Sequence, residues 1–149
     1  MKKIRISKTK YYLNIAKAVS LRSTCLRRNY GCVIINNDEV IATGYNGSPR
    51  GETNCSDVGY CERENEEHNS GNYGNCKAVH AEQNAMLSAS RSKMLGATMF
   101  LYGSEYNELG VPVDIKDCVP CPICMRMIKN SGISKIINQK GIVWQREWE

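Results

Sequence analysis

Two short motifs, far apart in the sequence, constrain the fold of this chain more than any other feature. The first is His80–Glu82, which reads His-Ala-Glu, and the second is Pro120–Cys124, which reads Pro-Cys-Pro-Ile-Cys. Cys121 and Cys124 are three residues apart, so at the start of a helix their sulfur atoms lie on one face. A helix N-terminus favours the thiolate form. One histidine and two cysteines bind zinc and leave a fourth position for water, as in catalytic zinc sites. The fold must therefore bring the two motifs together.

The residue types around this predicted zinc site indicate a particular chemistry. Glu82 follows His80 by two residues, so its carboxylate can lie near the metal and move protons without binding it. Each motif alone is ambiguous, because C-x-x-C also occurs in structural zinc sites and redox pairs, and a single histidine is often a capping or core residue. The combination H-x-E…P-C-x-x-C is the signature of zinc nucleobase deaminases. The sequence therefore predicts hydrolytic deamination.

Eight cysteines in 149 residues also limit the class of protein. The basic N-terminus is not followed by the apolar stretch of a signal peptide, which predicts a cytoplasmic protein. In that reducing compartment thiols bind metals or stay buried instead of forming disulfides. The absence of a long apolar run argues against a membrane partner. The formal charge of +5 is modest and dispersed, so we expect no nucleic-acid partner.

The order of elements predicts an α/β fold in a single domain over residues 1–149. Apolar spacing predicts a first helix over residues 8–26, and Asn36–Glu39 has the composition of a tight turn between two strands. The remaining predicted elements are a long loop at 46–79, a helix at 81–92, a strand at 97–102, a polar segment at 103–118, a helix at about 123–130 ended by Gly132, and strands at 133–137 and 141–144. This order fits one mixed sheet covered by helices.

The chain resembles the cytidine/deoxycytidylate deaminase superfamily from about residue 11 to 138, and most of all its deoxycytidylate (dCMP) deaminases. The similar segments are Arg22–Cys25, Gly31–Ile35, Gly44–Gly51, Val79–Ala85 and Pro120–Cys124. The resemblance implies a three-layer αβα domain with a five-stranded mixed sheet. It also implies a catalytic zinc and conversion of dCMP and water to dUMP and ammonia in pyrimidine deoxynucleotide metabolism.

The resemblance also assigns residues to the substrate. Asn46 would bind the sugar, and Ser23 and Arg27 would bind the 5′-phosphate. Ser23 and Arg27 are expected on the first helix, where their spacing of four residues puts them on one face. The planar donors of arginine suit phosphate oxygens. The alternatives are that the arginines are solvated surface residues and that Asn46-Gly47 is only a turn.

Regulation and assembly are implied by the resemblance alone. Relatives are often homohexamers that dCTP activates and dTTP inhibits, with magnesium on the triphosphate. Gly47, Ser48 and Pro49 lie where such an effector would bind.

Four further cysteines could hold a second, structural zinc. They are Cys25, Cys55, Cys61 and Cys76, with His68 nearby as a possible replacement for Cys25 or Cys61. Some relatives bind such a zinc with residues of this loop. Four thiolates would close a tetrahedral site and stabilise a loop that has no core of its own. The alternative is that Cys25 is an ordinary buried thiol and Cys61 is exposed.

Two other functions compete with dCMP deamination. One is deamination of tRNA adenosine or of a riboflavin precursor by the same zinc chemistry. A tRNA enzyme needs a basic face, for which the charge is too dispersed. The other is a non-catalytic zinc module for interactions, in which the carboxylate of Glu82 would have no use.

Overall fold

The structure is a computed structural model that describes residues 1–67, 70 and 73–147. Its elements are α1 (Lys8–Ser20), β1 (Arg28–Asn36), β2 (Glu39–Tyr45), α2 (Cys55–Val58), a 3₁₀ turn (Tyr73–Asn75), α3 (Ala81–Leu87), α4 (Arg91–Met94), β3 (Thr98–Tyr106), β4 (Pro112–Asp114), α5 (Pro122–Ser131), β5 (Lys135–Asn138) and β6 (Gly141–Gln145). None of the helices within these residues has the length and apolar character that crossing a bilayer requires.

The sheet is mixed and follows the strand order β2-β1-β3-β5-β6. Strands β3 and β5 are parallel, and the other neighbours along this path are antiparallel. These five strands confirm the predicted five-stranded sheet. A short sixth strand, β4, pairs with the end of β3 because the 103–118 segment folds back as a hairpin. The side chain of Asn107 closes this hairpin by accepting hydrogen bonds from the backbone of Leu109 and Val111, each at 2.9 Å.

Helices cover both faces of the sheet, which confirms the predicted three layers. Successive side chains of a strand point to opposite faces. In β1, Val33 and Ile35 therefore pack beneath α1, whereas Cys32 and Ile34 belong to the core beneath α3 and α5. Because both faces are covered, β1 has a nearly continuous buried run instead of an alternating pattern.

Two glycines allow the helices to lie directly on the sheet. A Cβ atom on Gly31 would come within 1.9 Å of the Ala16 carbonyl oxygen in α1. A Cβ atom on Gly44 would come within 2.3 Å of the Ala81 carbonyl oxygen at the start of α3. Strand β2 thus determines how closely the first turn of α3 approaches the sheet.

The tight turn at Asn36–Glu39 is confirmed. Asn37 and Asp38 have positive φ values of 52° and 62°, which suit a hairpin turn that matches the twist of its strands. Asp38 is held there by an ion pair with Lys8 and by a hydrogen bond from the Tyr12 hydroxyl, both from α1.

The first helix is shorter than the sequence predicts, and this part of the prediction was wrong. Helix α1 ends at Ser20, so Ser23 and Arg27 lie on the loop before β1 and not on a helix face. The loop is fixed by tertiary contacts instead, since the Thr24 carbonyl accepts a hydrogen bond of 3.1 Å from the backbone of Ser56.

The predicted helix at 81–92 is two helices. Helix α3 ends at Leu87, and Ser90 begins α4 as its N-cap residue by accepting a hydrogen bond from the Lys93 backbone. A serine that bonds to the backbone in this way favours a new helix start over continuation of the old one.

Candidate active site

The predicted zinc ligands lie at the starts of two helices. His80 is the N-cap residue of α3, and its backbone N–H donates to the side chain of Gln83 at 2.8 Å. Cys121 is the N-cap residue of α5, and its sulfur accepts a hydrogen bond of 3.5 Å from the backbone of Cys124. The N-terminal end of each helix carries a partial positive charge that favours thiolate nearby.

The fold brings the two motifs to one point, as the sequence predicts. The Nδ1 atom of His80 lies 3.5 Å from the sulfur of Cys121 and 3.3 Å from the sulfur of Cys124. Around tetrahedral zinc, Zn–S and Zn–N bonds of normal length place nitrogen and sulfur about 3.5 Å apart. Across residues 1–67, 70 and 73–147, these three side chains are the one group of three or more His, Cys, Asp or Glu residues whose ligand atoms lie within 4.8 Å of one another.

The donor set also fits zinc chemically. Burial raises the pKa of Cys124 and lowers the pKa of His80, so burial by itself favours a neutral thiol and a neutral imidazole. A neutral imidazole is the form that binds a metal. A divalent cation would supply the positive charge that stabilises a buried thiolate.

Glu82 lies beside these ligands without joining them. Its Oε2 atom is 4.0 Å from the sulfur of Cys124, and the residue is only 6% exposed. Burial raises the pKa of Glu82 to about 6. A carboxylate with a pKa near neutrality can both accept and release a proton during one reaction.

A cavity of about 120 Å³ opens next to this centre. Its lining residues are Cys25, Arg27, Arg28, Tyr30, Asn46, Cys61, Arg63, Cys76, Ala78, His80, Glu82 and Cys121. The cavity therefore joins two of the predicted zinc ligands, His80 and Cys121, and Glu82 to the predicted substrate residues Arg27 and Asn46.

Asn46 is buried and almost fully hydrogen bonded. Its Oδ1 atom accepts from the Ser23 hydroxyl at 2.6 Å and from the Tyr30 backbone at 2.8 Å. Its Nδ2 atom donates to the Arg28 carbonyl at 2.9 Å. A second amide hydrogen is left over. Ser23 therefore contacts Asn46 and fixes its orientation.

Arg27 holds the loop that follows α2. Its two terminal nitrogens donate to the carbonyl oxygens of Arg63 and Glu66, each at 2.7 Å. These bonds use two of the five N–H donors of the guanidinium. Arg63 is itself buried and forms an ion pair of 2.9 Å with the Glu66 carboxylate.

Sequence reasoning missed three polar side chains that line this cavity: Arg28, Tyr30 and Arg63. Arg28 and Tyr30 lie on β1 on the same side as Cys32, so strand alternation would have found them if the strand had been started at residue 28. Arg63 lies in an irregular loop, where no periodicity identifies its direction.

The predicted effector residues lie on a different surface. Gly47, Ser48 and Pro49 line a second groove of about 460 Å³. Gly47 forms a two-residue bridge with Val79 through backbone hydrogen bonds of 3.2 and 2.8 Å. Their neighbours Asn46, Ala78 and His80 line the catalytic cavity instead.

The four remaining predicted metal ligands are less tightly grouped than the catalytic set: among the described residues, no three of Cys25, Cys55, Cys61 and Cys76 have sulfur atoms within 4.8 Å of one another. Nearby thiol groups of Cys25, Cys61 and Cys76 add to burial in raising the pKa of Cys55. Cys25, Cys61 and Cys76 also line the catalytic cavity. His68, the alternative ligand, lies outside the described residues.

Comparisons with known proteins agree with this geometry. Residues 6–140 match the family described as the cytidine and deoxycytidylate deaminase zinc-binding region. The deoxycytidylate deaminase of Schizosaccharomyces pombe is 36% identical over 91% of this chain, and that of Mycobacterium phage D29 is 34% identical over 87% of this chain. The alignments cover 38% of the S. pombe protein and 92% of the phage protein.

A solved structure extends the similarity to the fold. The dCMP deaminase of cyanophage S-TIM5, crystallised in complex with dCMP and dUMP, matches with a TM-score of 0.62 and 27% identity. The match covers 91% of this chain and 83% of the phage chain. The metal-ligand geometry, the fold and the sequence match together show that the chain belongs to the cytidine and deoxycytidylate deaminase family.

Proposed function

We propose that this protein is a zinc-dependent hydrolytic deaminase that converts dCMP and water to dUMP and ammonia. The observation that carries the proposal is the convergence of His80, Cys121 and Cys124 beside the buried carboxylate of Glu82. The names of the relatives support the substrate. We further propose that residues 1–149 act as one deaminase domain in the cytoplasm, within pyrimidine deoxynucleotide metabolism.

Different residues of the chain act in different steps of the reaction. When bound by the three ligands, zinc would lower the pKa of a water molecule to about 7 and supply an oxygen nucleophile at neutral pH. Glu82 accepts the proton released by that water and delivers it to N3 of the cytosine ring. After the water oxygen has bonded to C4, Glu82 takes the second water proton from the C4 hydroxyl and delivers it to the exocyclic amine. The C4–N bond then breaks, ammonia leaves, and C4 becomes a carbonyl.

The substrate residues act at the other end of the cavity. The remaining amide hydrogen of Asn46 donates to a sugar oxygen, with Ser23 holding the amide in place. Ser23 and Arg27 are the residues proposed for the 5′-phosphate, and Arg27 offers it the N–H groups that its two carbonyl bonds leave over.

An ultraviolet absorbance assay tests the reaction. We expect loss of cytosine absorbance with dCMP, and weaker turnover of deoxycytidine, CMP and dCTP. Absence of turnover with dCMP would refute dCMP as the substrate. It would not refute zinc-dependent deamination of one of the other compounds.

Glu82→Gln tests the mechanism. We expect it to keep the fold and bound zinc but to lower kcat by roughly 10²-fold to 10⁴-fold, because general acid–base catalysis contributes that much. Glu39→Gln, an exposed residue of β2, is the matched control and should retain full activity. Full activity in Glu82→Gln would refute the proton-transfer role.

We propose that the groove at Gly47, Ser48 and Pro49 binds a nucleoside triphosphate effector with magnesium, with dCTP activating and dTTP inhibiting a homohexamer. The separation of this groove from the catalytic cavity supports a second nucleotide site. Light scattering gives the oligomeric state, and activity titrated with each triphosphate gives the sign of regulation. A monomer insensitive to both would contradict this part.

We propose that Cys25, Cys55, Cys61 and Cys76 hold a second, structural zinc. Cys25, Cys61 and Cys76 line the catalytic cavity, and Cys55, Cys61 and Cys76 line a neighbouring hollow, which supports the site. Metal analysis of purified protein should give about two zinc ions per chain, and Cys55→Ser should lower the ratio to about one, as for a closed four-ligand site that loses one thiolate. A ratio near one in the unmodified protein would remove this site.

A further inference from the structure

Strand β1 runs along the catalytic cavity and presents Arg28 and Tyr30 to it. Alternate residues of a strand share a face, so Arg28, Tyr30 and Cys32 form one row. The Arg28 side chain is 25% exposed, Tyr30 is partly buried and Cys32 is fully buried in the core. Exposure therefore decreases along the row from Arg28 to Cys32.

Tyr30 has a hydrogen-bond donor that nothing in the described part of the chain uses. Its hydroxyl oxygen accepts from Nη1 of Arg28 at 3.2 Å, and this is its one hydrogen bond among the described residues. Burial raises the pKa of Tyr30 to about 12, so the phenol keeps its proton at neutral pH. A cation that donates to the phenol oxygen strengthens the outgoing O–H donor, because linked hydrogen bonds polarise one another.

The 103–118 segment holds this pair in place. The Glu105 carboxylate lies 3.2 Å from Nη2 of Arg28. Gly103 leaves room for the Tyr30 ring, since a Cβ atom there would come within 2.7 Å of a ring carbon. The same Cβ atom would lie 2.8 Å from the sulfur of Cys118, so the ring and this sulfur flank one point of β3. The segment thus limits where the Tyr30 ring and the Arg28 guanidinium can lie.

We propose that Tyr30 contacts the substrate and donates a hydrogen bond to its 5′-phosphate, with Arg28 as the adjacent second donor. The proposal rests on the proposed function, because it takes the substrate to be a pyrimidine nucleoside monophosphate. The reacting ring must reach Glu82 and the zinc ligands, so the phosphate meets another part of the cavity lining, in which Arg28 is a partly exposed cation. Arg28 has three N–H donors left after its bonds to Tyr30 and Glu105. Phosphate oxygens are the acceptors that such donors prefer.

This pair differs from Arg27 in what fixes it. Arg27 is bonded to carbonyl oxygens of the irregular loop after α2, so its position depends on that loop. Arg28 and Tyr30 lie on a central strand of the sheet. Their contacts with the phosphate therefore do not depend on the conformation of that loop.

Tyr30→Phe removes only the hydroxyl and tests the contact. We expect kcat/KM for dCMP to fall by roughly 10-fold to 100-fold, mainly through KM, because a hydrogen bond to a charged group is lost. Turnover of deoxycytidine, which has no phosphate, should change little. Tyr106→Phe is the matched control, because its hydroxyl accepts a hydrogen bond of 2.9 Å from Asn29 and does not line the cavity. An equal loss with dCMP and deoxycytidine would overturn the proposal.

Calorimetry of the products separates this inference from the proposed reaction. We expect the unmodified protein to bind dUMP more tightly than deoxyuridine, and Tyr30→Phe to lose most of that preference. The protein could fail to deaminate dCMP and still bind dUMP more tightly than deoxyuridine in a way that depends on Tyr30. That result would refute the proposed reaction and support the phosphate contact. Absence of a preference in the unmodified protein, or its full retention in Tyr30→Phe, would overturn the contact.

Discussion

Asn46 is a single side chain that serves both the fold and the candidate site. It joins Ser23 on the loop after α1 to the backbone of Arg28 and Tyr30 on β1. The same residue lines the catalytic cavity. A buried amide with several partners leaves each of them unpaired when it is removed, which costs more than the hydrogen bonds themselves contribute.

Asn46→Ala should therefore lower both stability and activity. We expect the free energy of unfolding to fall by about 2–4 kcal/mol, because two partly buried backbone groups lose their partner. Chemical denaturation measures this change. Asn14→Ala, an exposed residue of α1, is the matched control and should be near neutral. Equal stability of the two variants would show that the Asn46 network contributes nothing to folding.

Helices α3 and α5 are the elements that place the zinc ligands, and their positions depend on the sheet beneath them. Strand β2 contacts the first turn of α3 at Gly44, where the absence of a side chain allows backbone to approach backbone. Because His80 caps α3 and Glu82 lies in its first turn, a displacement of this turn moves a metal ligand and the proton carrier together.

Gly44→Ala tests this dependence. The added methyl group would meet the α3 backbone at 2.3 Å, so the helix must shift. We expect a loss of about 1–3 kcal/mol of stability, as for overpacked cores, together with weaker zinc retention during dialysis against a chelator. Gly74→Ala is the control, since no atom lies within 4 Å of its added methyl group. Unchanged zinc retention in Gly44→Ala would show that α3 is positioned independently of β2.

For the whole molecule, the zinc ligands join parts of the chain that are distant in sequence. His80 precedes the crossover through β3, whereas Cys121 and Cys124 follow the 103–118 hairpin. A metal that binds only the folded arrangement stabilises the entire fold by mass action.

Removal of zinc should therefore lower the thermal midpoint. A metal present at 100 times its dissociation constant contributes about 2.7 kcal/mol, or roughly 5–10 °C for a chain of this size. Differential scanning fluorimetry with and without a chelator measures the shift. His80→Ala should show a smaller shift because it lacks one ligand. The same shift in both proteins would place the stabilising metal elsewhere.

The sequence predicted the parts of the fold that depend on local signals. Asn37 and Asp38 predict their turn because they tolerate positive φ, and Gly132 ends α5 in the left-handed conformation. The end of α1 at Ser20 was missed because no glycine or proline marks it and tertiary contacts fix the following loop. Strand β4 was missed because all of its residues are exposed, so it lacks the alternation of a half-buried strand.

The residues of the candidate site were likewise predicted only where a local sequence signal marks them. The zinc ligands and Glu82 lie at helix starts that short motifs identify. Arg28 and Tyr30 share the alternation of β1 but precede its apolar part, so a strand begun at the apolar run leaves them out. Arg63 reaches the cavity from an irregular loop, where no periodicity applies.

The bridge between Gly47 and Val79 has a consequence for how this protein can be redesigned. The backbone of residues 46–47 and 78–80 separates the catalytic cavity from the second groove. Asn46, Ala78 and His80 line the cavity, whereas Gly47 and Val79 line the groove. Substitutions on the two sides of this segment act on the same main-chain atoms. Their effects should therefore not add, because coupling is expected wherever two sites move a common segment. A designer who enlarges the groove also changes the catalytic cavity, and the two must be optimised as one surface.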